Sequence, residues 1–207
     1  MIKPFTGTEL RRVLGAFATG VTVVTTIDRD GRPSGLTVNS FSSVSLDPPL
    51  VLWSQSRTAP SHSVFQQADR FAVSILAADQ IHVSERFSRK STDKFEGVRT
   101  IAGLGGIPLI DGAAAHVECR SVVRYPGGDH TIFIGEVERI HRSTRQPLLF
   151  GIGRYLHADA FDSPHPHMNA IAMARQSAAR LSLELGESTG VGVWGNQGPT
   201  IIGWWGE

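Results

Sequence analysis

The sequence predicts a mainly β protein, an antiparallel barrel with short flanking helices, and three observations carry that expectation. From Val21 the residues are β-branched almost without break to Ile27. Turn-forming runs, Asp30-Gly31 and later Gly127-Gly128-Asp129, separate strand-like segments by hairpin-sized gaps. Helical periodicity is confined to short stretches, so hairpins take the place of the long crossovers that a parallel sheet requires.

The elements follow in order. Thr6 and Glu9 have capping-box spacing, and Leu10, Val13, Leu14 and Phe17 share one helical stripe, which predicts an amphipathic opening helix ended by Gly20. Val21 to Ile27 and Pro33 to Phe41 form a strand pair around Asp30-Gly31. Pro49 to Trp53 is a third strand and Phe71 to Leu76 a fourth, with a short surface helix over Ser61 to Gln67 between them. Asp79 to Phe87 is another short helix. Ala113 to Tyr125 and His130 to Arg142 make a long hairpin, and Leu148 to Tyr155 closes the series.

A composition break follows Phe161. Pro164 and Pro166 mark a linker over 161–168, which divides a domain over 1–160 from a piece over 169–207. In that piece Ile171, Ala174, Ala178, Leu181 and Leu185 describe an amphipathic helix stopped by Gly186. Val191 to Trp194 and Thr200 to Trp205 then read as a hairpin turning at Asn196-Gln197-Gly198. An apolar strand ending so close to Glu207 leads us to expect a longer protein, of which this is a fragment.

With 207 residues and 41% hydrophobic content the chain can bury a real core. Twenty Lys and Arg against nineteen Asp and Glu leave a net charge of +1, too little for phosphate-driven association with nucleic acid. The lone Cys119 excludes an internal disulfide and suits a reducing compartment. No stretch approaches the ~20 apolar residues of a membrane span. The expectation is a cytoplasmic protein without membrane or nucleic-acid partners.

The chemistry concentrates in Leu36 to Pro49, LTVNSFSSVSLDPP, where hydroxyls and an amide precede Asp47-Pro48-Pro49. Alternation sends Thr37, Asn39 and Phe41 to one face and Leu36, Val38 and Ser40 to the other, which fits a solvent-facing strand as well as a polar cradle. The run Asn39 to Ser45, polar on both faces, weakens the solvent-facing reading but leaves both open. Two later segments add candidates. Gly128-Asp129-His130 occupies a turn, where His130 is either exposed turn chemistry or a site residue. Trp53-Ser54-Gln55-Ser56-Arg57 ends a strand with short polar side chains.

These segments, with GAFATGVTVVTT (Gly15 to Thr26), FAVSIL, GDHTIFIGEV and PLLFGIGRYL, closely resemble the flavin reductase family over about residues 7 to 157. The resemblance implies the flavin-binding split barrel, a Greek-key fold whose members are typically homodimers. It implies NADH, or NADPH, reducing FAD or FMN, with the reduced flavin diffusing to a monooxygenase that hydroxylates an aromatic compound. Flavin contacts are implied for Thr37, Val38, Asn39, Ser40, Ser45, Leu46 and Asp47, for Ser54, Gln55 and Ser56, and for Phe87 and Lys94 in ERFSRKSTDKFEGV. His130 is implied beside the nicotinamide as the catalytic candidate, and Tyr155 as a second contact there. Hydride transfer needs alignment rather than an acid or nucleophile, so no triad is expected. The C-terminal piece resembles the opening helix and hairpin of the effector-binding domain in IclR-type regulators.

Three signals carry no site. Gly190, Gly192 and Gly195 spell GxGxxG without a strand-to-helix unit. His157, His165 and His167 fit no standard zinc spacing, so no metal is expected. Cys119 lies in a strand run, where a lone cysteine packs as a small hydrophobe. Two other functions fit the same segments: a flavin, nicotinamide or phenol-sensing module, and a split-barrel oxidase holding its flavin permanently.

Overall fold

The computed structural model describes residues 4–91, 93–156, 168–186, 189–195 and 198–205. They belong to two compact units, Met1–Ala158 and Asp159–Glu207.

The first unit opens with α1 (Gly7–Gly15). The Thr6 hydroxyl accepts the Glu9 N–H at 3.2 Å and the Glu9 carboxylate accepts the Thr6 N–H at 2.7 Å, closing the capping box. The helix stops at Gly15 rather than Gly20, because Thr19–Gly20 is drawn into a short strand, β1, paired with Phe150 and Leu149. No α1 residue is buried, and Val13, Leu14 and Phe17 stay exposed.

β2 (Thr22–Ile27) and β3 (Pro33–Val38) form the first hairpin. Its turn is held by the Asp28 carboxylate, which accepts the N–H groups of Asp30 and Arg32, and Gly31 sits at φ 78°, where a Cβ would be strained. β3 ends at Val38, short of Phe41, and a separate β4 (Ser42–Leu46) follows. A cis Asp47-Pro48 bond leads into β5 (Pro49–Ser56), which runs past Trp53 because its end pairs with His130 and Thr131.

α2 (His62–Gln67), β6 (Arg70–Ile75) and α3 (Ile81–Ser88) come next. β7 (Thr100–Ala102) and β8 (Pro108–Ile110) form a small flap around a 3-10 turn at Leu104–Gly106. β9 (Ala115–Gly127) and β10 (His130–Arg142) make the long hairpin, and β11 (Leu149–Gly151) with β12 (Arg154–Leu156) end the unit.

The main sheet has seven strands in the order β3-β2-β6-β9-β10-β5-β4, all antiparallel. Its end strands, β3 and β4, are consecutive in the chain. Ser40 between them donates to the Ser54 carbonyl at 3.2 Å and accepts the Ser54 N–H at 3.0 Å. Among the described residues no ladder joins the two ends, so the barrel is split rather than closed.

β2 is buried on both faces, and period two divides its side chains between two cores. Val24 joins Trp53, Phe65, Phe71, Phe133 and Cys119 inside the barrel. Val23 joins Leu76, Val83, Phe87 and Leu148 under α3. Trp53 stacks on its cross-strand partner Phe133 at 4.5 Å and 12°. Phe65 meets Trp53 edge-on at 5.0 Å, so α2 is anchored in the core and not merely a surface helix. Truncating Trp53 to alanine costs about 3–5 kcal/mol by the usual cavity cost. A Cβ at Gly135 would lie 2.8 Å from Cys119 Cβ and press on the Phe71 ring, which reserves that position for glycine.

In the second unit α4 (Met168–Leu185) ends at Gly186, φ 66°, and β13 (Thr189–Gly195) pairs with β14 (Gly198–Trp205). The GxGxxG glycines all lie within β13, which leads to a strand and not a helix. Of the linker expected over 161–168, residues 161–167 lie outside the described residues and Met168 already belongs to α4; the three histidines at 157, 165 and 167 and Asn196-Gln197 also lie outside them.

Candidate functional site

A cavity of about 460 Å³ opens between β3, the segment joining β5 to α2, and the chain leaving α3. Leu36, Val64, Phe87 and Phe95 give it apolar walls, and seven hydroxyls line it, among them those of Thr37, Ser56 and Ser61. Three cations, Arg89, Lys90 and Lys94, complete the lining, and among the described residues no carboxylate does. A second cavity, of about 480 Å³, lies beyond Val64 of α2 but mixes Asp28, Asp30 and Asp69 with Arg29 and Arg70. Only the first has the one-signed donor set that suits a phosphate-bearing ligand.

Four of the candidate residues meet in this first cavity: Thr37, Ser56, Phe87 and Lys94. Thr37 is fixed through its hydroxyl, which donates to the Ser84 carbonyl of α3 at 2.6 Å. Phe87 is fully buried against Phe95, ring centroids 4.9 Å apart, and fills the space over Gly35, where a Cβ would come within 2.8 Å of the ring. Lys94 Nζ donates to the carbonyls of Phe87 at 2.9 Å and Gly35 at 3.2 Å. Its pKa is held below the ordinary lysine value by partial burial.

The pleat of β5 separates the three consecutive candidates near its end. Gln55 points into the barrel at 1% exposure, with Val51 and Trp53, while Ser54 and Ser56 face outward. The Gln55 side chain therefore reaches the cavity only through a neighbour: its amide nitrogen donates to Ser61 Oγ at 2.9 Å, and Ser61 lines the cavity. Ser54 is occupied through its backbone by Ser40.

The remaining cradle residues lie apart from this cavity. The Val38 side chain belongs to the barrel core. Asn39 and Asp47 are exposed, Ser45 is half-buried, and Leu46 stands 92% exposed at the end of the edge strand β4. The polar run folds as the end of β3, a short connection through Asn39 and Ser40, and the edge strand β4, whose register against β5 shifts between Ser43 and Ser45.

His130 faces Ser56 directly across the β5–β10 ladder, so the two share a face and place the histidine beside the cavity wall. Asp129 accepts from His130 Nδ1 at 2.8 Å, and that hydrogen bond holds its carboxyl below the ordinary aspartate range. Tyr155 stands behind the wall: its hydroxyl donates to Ser84 Oγ at 3.0 Å and its ring packs edge-on to Phe150. It braces the residue that also accepts from Thr37.

Comparison with known proteins places the chain in a family. The model of the flavin reductase like domain matches residues 14–159. The chain belongs to the flavin reductase like domain family. A relative, the FMN reductase (NADH) SmoA of Agrobacterium fabrum, is 46% identical over 147 residues, 71% of this chain and 83% of its own length. HsaB, the reductase subunit of a flavin-dependent monooxygenase from Rhodococcus jostii, is 39% identical over 148 residues, 71% of this chain and 75% of its own. The solved structure of Streptomyces globisporus NADH:FAD oxidoreductase SgcE6 with NAD and FAD fragments superposes with a TM-score of 0.74 at 43% identity, covering 79% of this chain and 99% of that one. The resemblance of the tail to an effector-binding domain finds no support in these comparisons, and the family match stops at residue 159.

In this member of the flavin reductase like family the cavity also uses residues the sequence reading passed over. Ser88, Arg89, Lys90 and Ser91 follow α3 as a basic pair between two serines, and Thr58 and Ser61 come from the turn after β5. The Ser-Arg-Lys-Ser string was the available signal, but charged surface runs are common and its place at a cavity mouth depends on tertiary packing. Among the described residues no cluster of metal-ligating side chains occurs. Cys119 is buried and its thiol is pushed up to about 12, first by burial and then by Glu138 and Glu118, which leaves it without nucleophilic character.

Proposed function

We propose that this chain reduces FAD or FMN with NADH and releases the reduced flavin to a separate monooxygenase acting on an aromatic compound. The observation that carries the reading is the lining of the 460 Å³ cavity: apolar walls, hydroxyl donors and cations, with no carboxylate among the described residues. That set fits a flavin, whose ring needs a flat apolar wall and whose phosphate needs donors. Bound there, the flavin supplies the hydride acceptor.

The protein's own residues bind and align. Lys94 and the hydroxyls of Ser56 and Ser61 hold the phosphate end, and Leu36 bears on the ring, with Phe87 buried behind the wall as its support. Thr37 is kept in place by Ser84, itself braced by Tyr155. His130, beside Ser56, orients the nicotinamide. NADPH is the less favoured donor, since the relatives named above are NADH enzymes where their names specify a donor. The assembly is a homodimer, for which the exposed stripe Val13, Leu14 and Phe17 and the apolar end of β4 supply surface. We place its action in the cytoplasm, a reducing compartment that suits the buried free thiol of Cys119.

The test is NADH oxidation by the purified chain over a concentration series of FAD and FMN, with flavin dissociation constants measured alongside. Saturable turnover with exchangeable flavin is expected. Tight flavin binding without NADH oxidation would overturn the reading in favour of a sensor or an oxidase.

A further inference from the structure

The cations of the flavin cavity stand at two depths. Lys94 is the inner one: half-buried, with two of its three ammonium protons given to the carbonyls of Gly35 and Phe87 and one left to donate. Burial alone depresses its pKa, and no carboxylate offsets the cost of keeping its charge there. Arg86 of α3 fixes the segment that carries it, donating to the carbonyls of Lys94 and Asp93, both at 2.9 Å. The outer pair, Arg89 and Lys90, is exposed at the mouth, on chain that leaves α3 before the segment doubles back to Lys94.

We propose that the two tiers read two phosphoryl groups, so that the cavity selects the dinucleotide FAD over the mononucleotide FMN. This rests on the flavin reading above and deepens it. Lys94 takes the phosphoryl group shared by both flavins, where a half-buried, charge-assisted hydrogen bond resists screening. Arg89 and Lys90 take the second phosphoryl group, which FAD alone carries. Their exposure makes that part of the affinity modest and sensitive to salt.

The experiment is fluorescence titration of the full chain with riboflavin, FMN and FAD at low and high sodium chloride. It uses wild type, the double variant Arg89→Ser with Lys90→Ser, and Lys94→Met. At low salt FAD is expected to bind roughly five- to tenfold more tightly than FMN, and FMN more tightly than riboflavin. High salt and the double variant each bring FAD down to the level of FMN while FMN changes little. Lys94→Met weakens FAD and FMN together and by more than it weakens riboflavin, whose loss reads only the two wall hydrogen bonds to Gly35 and Phe87. Equal binding of FAD and FMN by wild type at low salt would overturn the proposal without touching the flavin reading. So would a double variant that weakens FMN as much as FAD, because the rim would then act as a diffuse field. The salt series on wild type decides the matter even if a variant folds poorly. Failure to bind any flavin would overturn both readings.

Discussion

Ser56 and His130 share a face across the β5–β10 ladder, and that single pairing gives the histidine its significance. A turn histidine remote from any site would look the same in the sequence, because Gly128 and Asp129 account for the turn by themselves. Replacing His130 by alanine removes no buried packing, so the fold and the flavin dissociation constant should hold. The apparent KM for NADH should rise several-fold, about 1 kcal/mol of lost orientation, as read by initial rates over a NADH series. Wild-type kinetics in the variant would remove His130 from the nicotinamide side. The candidates at Ser54, Gln55 and Ser56 show where sequence reading stops at this scale. Their polarity was legible, but the pleat decides which of them meets a ligand, and the phase of the pleat is set by Trp53 stacking on Phe133 inside the barrel. Gln55, on the same phase as Trp53, is drawn inward and works through Ser61.

At the scale of elements, β-branched runs and paired turn residues made the long strands readable, and the capping box made α1 readable. The β7–β8 flap was not, because Thr100–Ala102 and Pro108–Ile110 are too short for alternation to register and owe their pairing to neighbours far along the chain. One of those neighbours is Glu118 on β9. Nearly buried, its carboxylate accepts the Leu104 N–H at the base of the flap turn and two donors from Arg139, one at 2.8 Å. Burial pushes its pKa up, but the Arg139 guanidinium and the Leu104 N–H outweigh it, so the net shift is below the ordinary glutamate value of 4.5. A depressed carboxyl contributes stability that is present above its unfolded pKa and lost as pH falls through the folded one. The wild type should therefore lose stability below about pH 4.5, and Glu118→Gln should flatten that acid limb in a series of urea melts. At neutral pH the same change should cost about 1–3 kcal/mol, discounted because Arg139 is half-exposed. An acid limb equally steep in the variant would show that other carboxylates govern it.

For the whole molecule, the seven-stranded sheet closes its own account of hydrophobic burial. Both faces of β2 are covered from within 21–150, by Trp53, Phe71 and Phe133 on one side and by Leu76, Phe87 and Leu148 on the other. The family match ends at 159, and the first compact unit ends at Ala158. The cavity, the His130 pairing and the Tyr155 brace all lie within that unit. Residues 1–158 alone should consequently fold and reduce flavin with a KM for NADH within about twofold of the full chain, since no cavity wall is removed. Circular dichroism of the shortened chain and NADH oxidation at matched flavin measure both halves of that expectation. An α4 and β13–β14 hairpin with no part in the reaction would leave the rate unchanged when a phenolic compound is added to either form. A phenol that altered the rate of the full chain and not of 1–158 would instead give the second unit an effector role acting on the barrel.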